Sequence, residues 1–121
     1  MNLRRTLAGA LTTALPSYRV MGYATELDAV TRPTVLLWVS LIEPFENFGL
    51  DYLKVTFELW VVIGSQDPER ANDDADDALT DVLTALQPLD YVDWTSAERG
   101  VLFDAHHGYR ITAQAVAQIG A

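Results

Sequence analysis

The chain has 121 residues and a mass of 13.4 kDa, with half its residues hydrophobic and 21% charged, a composition that supports one globular core and excludes a disordered or coiled-coil chain. Seventeen acidic residues against eight basic ones leave a net charge of −9, which disfavours long-range attraction to DNA, RNA or anionic lipid. The absence of cysteine excludes disulfides, thiolate metal sites and cysteine nucleophiles.

At the N-terminus, Arg4-Arg5 and the apolar stretch after it superficially match a secretory signal. Thr12 and Thr13 interrupt that stretch, and no small-x-small site precedes Pro16. Leu3, Leu7, Leu11 and Leu15 recur every fourth residue instead, which predicts an amphipathic helix from about Leu3 to Ala14, ended by Pro16. Tyr18 to Ala24 predicts a short strand, and Glu26 to Pro33 a connection. Thr34 to Ile42 is an almost unbroken apolar run and predicts a central strand covered on both faces. Glu43 to Asp51 then forms a protruding loop that carries Phe45 and Phe48. From Leu53 to Ile63 the apolar residues Leu53, Val55, Phe57, Leu59, Val61 and Ile63 alternate with Lys54, Thr56 and Glu58, the signature of a half-buried strand. That span is about twice a typical strand length, so the strand is expected to outrun its own core.

Asp67-Pro68 opens a second helix, with Asp67 as the expected N-cap and Pro68 at the first helical position. Its apolar face is Ala71, Ala75, Ala78, Leu79, Val82 and Leu86, and Gln87-Pro88 ends it. Tyr91 to Thr95 and Gly100 to Phe103 predict two shorter strands, and Tyr109, Ile111, Ala113, Ala115 and Ala117 alternate along a last one. The order of elements predicts one α+β domain over residues 1–121: a mixed, mainly antiparallel sheet of about five strands with two helices packed on one face.

Chemistry-bearing clusters are few. Glu69, Asp73, Asp74, Asp76, Asp77 and Asp81 crowd the second helix, but a calcium cage is built on a loop with a turn glycine, so these acids read as a solvated face. Asp81 stands near the negative end of the helix dipole, so stability alone does not select it; the surplus reads as a surface that repels a polyanion. Asp104-Ala105-His106-His107 lacks a third metal ligand and reads as a polar hairpin loop. Trp38, Trp60 and Trp94 all fall in predicted strands and suit core packing or a subunit interface. Trp60 and Val62 lie on the otherwise polar face of the long strand, which suggests burial against a partner. With no glycine-rich phosphate loop, nucleophile–base arrangement or zinc spacing, no enzymatic role and no cofactor is expected.

The whole chain resembles a phage tail terminator. The resemblance is carried by the Leu3-Arg4-Arg5-Thr6-Leu7-Ala8-Gly9-Ala10-Leu11 helix, by the Tyr52-to-Gly64 strand ending Trp60-Val61-Val62-Ile63-Gly64, and by the Asp67-to-Leu86 helix with its Leu79, Val82, Leu83 and Leu86 spacing. The Arg-rich, Lys-poor, alanine-rich style is similar to that of phages with actinobacterial hosts. The resemblance implies a virion protein, assembled in the host cytoplasm. It forms a hexameric ring that caps the tail tube, ends its polymerisation and docks the head-completion or neck proteins, while DNA passes through. Under it, Phe45, Phe48, Trp60 and Val62 are expected at subunit or ring-to-ring contacts, and Asp73, Asp74, Asp76, Asp77 and Asp81 on an acidic lumen or surface. The alternatives are another head–tail connector, adaptor or minor tail protein, and a small ligand-binding or enzymatic α+β domain with a pocket near Trp94 and His106.

Overall fold

The computed structural model describes residues 2–25, 27, 30–45, 52–64, 67–103 and 105–118. In chain order the elements are α1 (Leu3–Ala14), β1 (Arg19–Met21), β2 (Thr34–Pro44), β3 (Tyr52–Val62), α2 (Pro68–Leu86), β4 (Val92–Leu102) and β5 (His106–Gln118). The five strands form one sheet in the order β1-β2-β3-β5-β4. β1 runs parallel to β2, and the other neighbours are antiparallel, so the fold is α+β with a mixed, mostly antiparallel sheet.

Each helix is explained by its ends and its buried stripe. Asn2 caps α1 by accepting a hydrogen bond from the Arg5 N–H at 3.0 Å, and Leu7 and Leu11 of the leucine stripe are fully buried. Pro68 starts α2 with Asp67 in the cap position, but the Asp67 side chain makes no capping bond; only its carbonyl is engaged, by the Ala71 N–H at 2.8 Å. Ala71, Ala75, Ala78, Val82, Ala85 and Leu86 are the buried residues of α2.

These helix residues share one core cluster with Val35 and Leu37 of β2, Val55, Phe57, Leu59 and Val61 of β3, and Ile111, Ala113 and Ala115 of β5. The strand members alternate in sequence, as a single sheet face requires. Their immediate neighbours point the other way, and there a smaller cluster gathers Leu36, Val62, Leu102 and Met21, with Leu27, Val30, Trp38 and Trp60 packed on it.

The sheet departs from the sequence expectation in four places. The strand expected from Tyr18 to Ala24 is only Arg19–Met21. β2 is not covered on both faces throughout. β1 pairs with it only from Thr34 to Leu36, and past that point Val39, Leu41 and Ile42 are 36%, 51% and 55% exposed. The two short strands expected between Tyr91 and Phe103 are one strand, β4, with an irregularity at Thr95 where the register slips between Trp94 and Ser96. The polar middle Ser96-Ala97-Glu98-Arg99 can continue the strand because β4 is an edge, where backbone pairing to β5 suffices and side chains reach water. Finally, His106 and His107 begin β5 and are not loop residues; the turn is made at Phe103, whose φ of 53° is left-handed, and closed by the Ala105 N–H on the Leu102 carbonyl at 3.1 Å.

Candidate functional site

The residues singled out for partner contact separate on folding. Val62 is fully buried within one chain, in the cluster with Leu36, Met21 and Leu102. It is therefore a core residue and not a surface for a second subunit, because Leu27 and Val30 return across that face of the sheet. Trp60 is half-buried beside it, and its indole Nε1 donates to Glu58 Oε2 at 3.0 Å. The indole lies over Gly100, where an added Cβ would stand 2.9 Å from Trp60 Cη2. Trp60 also heads a row across the strands, opposite Arg110, which in turn pairs with Glu98 at 2.8 Å. Phe45 extends the β2–β3 hairpin through its N–H on the Tyr52 carbonyl at 3.1 Å and borders a cavity of about 330 Å³ with Lys54, Tyr91, Asp93 and Gln114. Phe48 lies outside the described residues.

The acids of α2 are not all free. Asp73, Asp76, Asp77 and Asp81 are exposed and Asp74 is half-buried. The Tyr109 hydroxyl donates to Asp76 Oδ1 and the Tyr18 hydroxyl to Asp81 Oδ2, both at 2.7 Å. Burial first, and then the Asp81 carboxylate, pushes the Tyr18 hydroxyl well above its ordinary pKa. For Tyr109 the hydrogen bond to Asp76 raises the pKa, while the Arg99 guanidinium, 5.5 Å from the ring centroid, pulls against it. Two of the five acids expected on an acidic lumen or surface thus also tie α2 to the rest of the chain. Sequence reasoning missed both links, since the partners are 63 and 33 residues apart and no local spacing signals them.

Asp74, Asp77 and Asp81 line one side of an open cavity of about 560 Å³, with Tyr18, Arg32 and Ile63 among the residues across it. Among the described residues no three His, Cys, Asp or Glu side chains are placed to hold a metal ion. His106 Nε2 lies 3.1 Å from the Leu27 carbonyl oxygen, donating to it in the tautomer that carries hydrogen there, while His107 is exposed. No helix among the described residues is long and apolar enough to cross a membrane.

What folding does bring together is exposed apolar surface along the two edges of the sheet. Of the eight exposed large hydrophobic side chains among the described residues, six are Val39, Leu41 and Ile42 on β2, Trp94 and Val101 on β4, and Phe103 just beyond β4. Among the described residues β4 is the outermost strand on one side and β2 has no strand beside it past Leu36 on the other, so both edges leave backbone N–H and C=O groups open. Only Trp94 of these six stood out in the sequence as an interface candidate; Val101 and Phe103 carried no signal beyond their apolar character. No protein-family model matches this chain, and no curated protein matches it.

Proposed function

We propose that this chain is a structural protein of the phage virion, acting as a tail terminator: copies assemble into a hexameric ring that caps the tail tube, stops its polymerisation and offers the neck proteins a docking surface. The observation that carries the reading is the pair of open, apolar sheet edges, β4 on one side of the sheet and β2 past the end of β1 on the other. A ring needs two different patches per subunit, each fitting the other, and two unlike edges of one sheet meet that need. The reading is also supported by the leucine-striped first helix, the long third strand and the acidic second helix, which form the elements on which the resemblance rests.

In such a ring the α2 carboxylates are a surface that transiting DNA does not adhere to, because like charge repels the phosphate backbone. The protein then belongs to the virion neck, and to the host cytoplasm while tails are built. Its role is to join and to stop, without catalysis.

The test is the solution mass by light scattering, with and without purified tail tubes, followed by imaging of the tube ends. A sixfold cap on tube ends and arrest of tube growth are the expected results. A strict monomer that ignores tubes and binds the portal instead would replace this reading with an adaptor role. Neutralising Asp73, Asp76, Asp77 and Asp81 to Asn should slow DNA release from capped particles; unchanged release would remove DNA repulsion from the proposal.

A further inference from the structure

Native sheets blunt their open edges with charge, proline and bulges. On β2 the blunted positions are Glu43, Pro44 and the irregularity at Ser40; on β4 they are Asp93, Glu98, Arg99 and the irregularity at Thr95. Leu41-Ile42 on one edge and Val101-Leu102 on the other remain without any such guard, and Phe103 follows the latter directly.

Strand direction makes these two segments complementary. β2 is antiparallel to β3, β3 to β5, and β5 to β4, so β2 and β4 point in opposite directions. A second copy placed beside the first in the same orientation therefore presents its β4 antiparallel to β2, the pairing that dominates the sheet already. Side-chain faces agree as well. Ile42 is opposite Val55, on the face of the main core, and Val101, opposite His107, is on that same face; Leu41 and Leu102 are both on the other. One antiparallel register sets Ile42 beside Val101 and Leu41 beside Leu102 together.

We propose that copies of this chain join by adding the open end of β4 of one copy, around Val101-Leu102, antiparallel to the Leu41-Ile42 segment of β2 in the next. The inference rests on the ring reading and names the surface that makes the ring. The occupant is a second copy, and its contact is small. A stable protein pair hides about 800 Å² on each partner, whereas even a wholly buried aromatic side chain contributes about 150–250 Å², and Trp94 and Phe103 have only 45% and 44% of their surface left to bury. A single edge contact is too small to hold two free copies. In a closed ring each copy is held at both edges and none is left open, so the protein is monomeric when dilute and assembles in one cooperative step.

The chain has no cysteine of its own, so every disulfide in a variant involves an introduced cysteine, and the single variants measure the like-with-like background. In an antiparallel pair, opposite Cα atoms lie about 4.5–5.5 Å apart, within disulfide reach. The double variant Ile42→Cys with Val101→Cys, oxidised at high concentration, is expected to give a ladder of disulfide-linked oligomers ending at a closed ring, while either single variant gives none beyond a dimer. Both side chains are exposed, and an unchanged thermal midpoint confirms that the variant folds. Ile42→Lys serves as a second probe: the midpoint is retained, and assembly falls by tenfold or more. Wild-type caps on tubes with no ladder from the double variant would overturn the edge contact and leave the ring reading standing. A full ladder from a protein whose wild type never caps tubes would keep the contact and remove the tail-terminator role.

Discussion

The two halves of β2 are built from the same kind of residue and end in opposite environments. Thr34, Val35, Leu36 and Leu37 are buried, whereas Val39, Leu41 and Ile42 stand in solvent. Hydropathy does not separate them. The first half has β1 along its outer edge, helix residues packed over Val35 and Leu37, and Leu27 and Val30 over Leu36. The second half has, among the described residues, only β3 beside it in the sheet. What buries a strand residue is the set of elements that arrive beside it and above it, and an apolar run longer than those elements leaves its excess free for another chain.

The largest expected effect tests that contrast directly. Leu37→Ala removes a fully buried side chain between packed neighbours and should cost about 2–5 kcal/mol. Ile42→Ala, in the dilute monomer, should change stability by less than about 0.5 kcal/mol, as substitutions at exposed sites do. Urea unfolding of the two variants measures both. Equal losses would mean that the two halves of β2 are not different environments after all.

A second contrast sits where Gly100 and Gly108 face each other across β4 and β5. A Cβ at Gly108 would stand 1.9 Å from the Val61 carbonyl oxygen, which the β3 backbone fixes; one at Gly100 meets the Trp60 ring, which can turn aside. Gly108→Ala should therefore cost about 1–3 kcal/mol or more. Gly100→Ala should cost less and instead change the Trp60 fluorescence. If Gly100→Ala proves the more damaging, then Trp60 is held as rigidly as backbone.

The same distinction between local and distant causes explains which parts of the fold were legible in the sequence. α1 and α2 were, because a leucine every fourth residue, a run of alanines at helical spacing and the flanking prolines are local signals. The alternation in β3 was too, since both its neighbours lie along its whole length. The continuity of β4 through Ser96 to Arg99 was not, because an edge strand draws its hydrogen bonds from β5 and asks nothing of its own side chains. Val62 looked like a surface residue on the polar face of β3 because the segments that cover it come from β1, β4 and residues 27 and 30. As for the candidate site, the acids were visible as a cluster, but their tyrosine donors were not.

Those donors supply a pH dependence. Tyr18 has its pKa raised in the folded chain above the ordinary value of about 10. The folded state therefore keeps a proton that the unfolded state gives up, so this contribution is fully present below pH of about 10 and is lost as pH rises past it. Tyr18→Phe should cost about 0.5–1.5 kcal/mol at neutral pH and flatten part of the alkaline loss. Tyr109 and Tyr91, whose pKa values are also raised, contribute in the same direction. An alkaline limb identical in the variant would show that Asp81 and burial do not hold the Tyr18 proton.

The smallest effect separates the two helix starts. Asn2 and Asp67 occupy the same kind of position, and both are residue types that cap well. Only Asn2 accepts a backbone N–H through its side chain, so Asn2→Ala should cost about 1 kcal/mol. At Asp67 the side chain makes no such bond, and α2 already starts on Pro68, which is pre-organised for the first turn. Asp67→Ala should then lose only the attraction of one carboxylate to the positive end of the helix, about 0.3–1 kcal/mol at low salt and less as salt is added. Thermal melts at two ionic strengths distinguish the cases: the Asn2→Ala loss should be insensitive to salt, and the Asp67→Ala loss should shrink with it. A salt-independent loss at Asp67 would mean that its side chain caps α2 in solution, and that both helix starts were set by the same local rule.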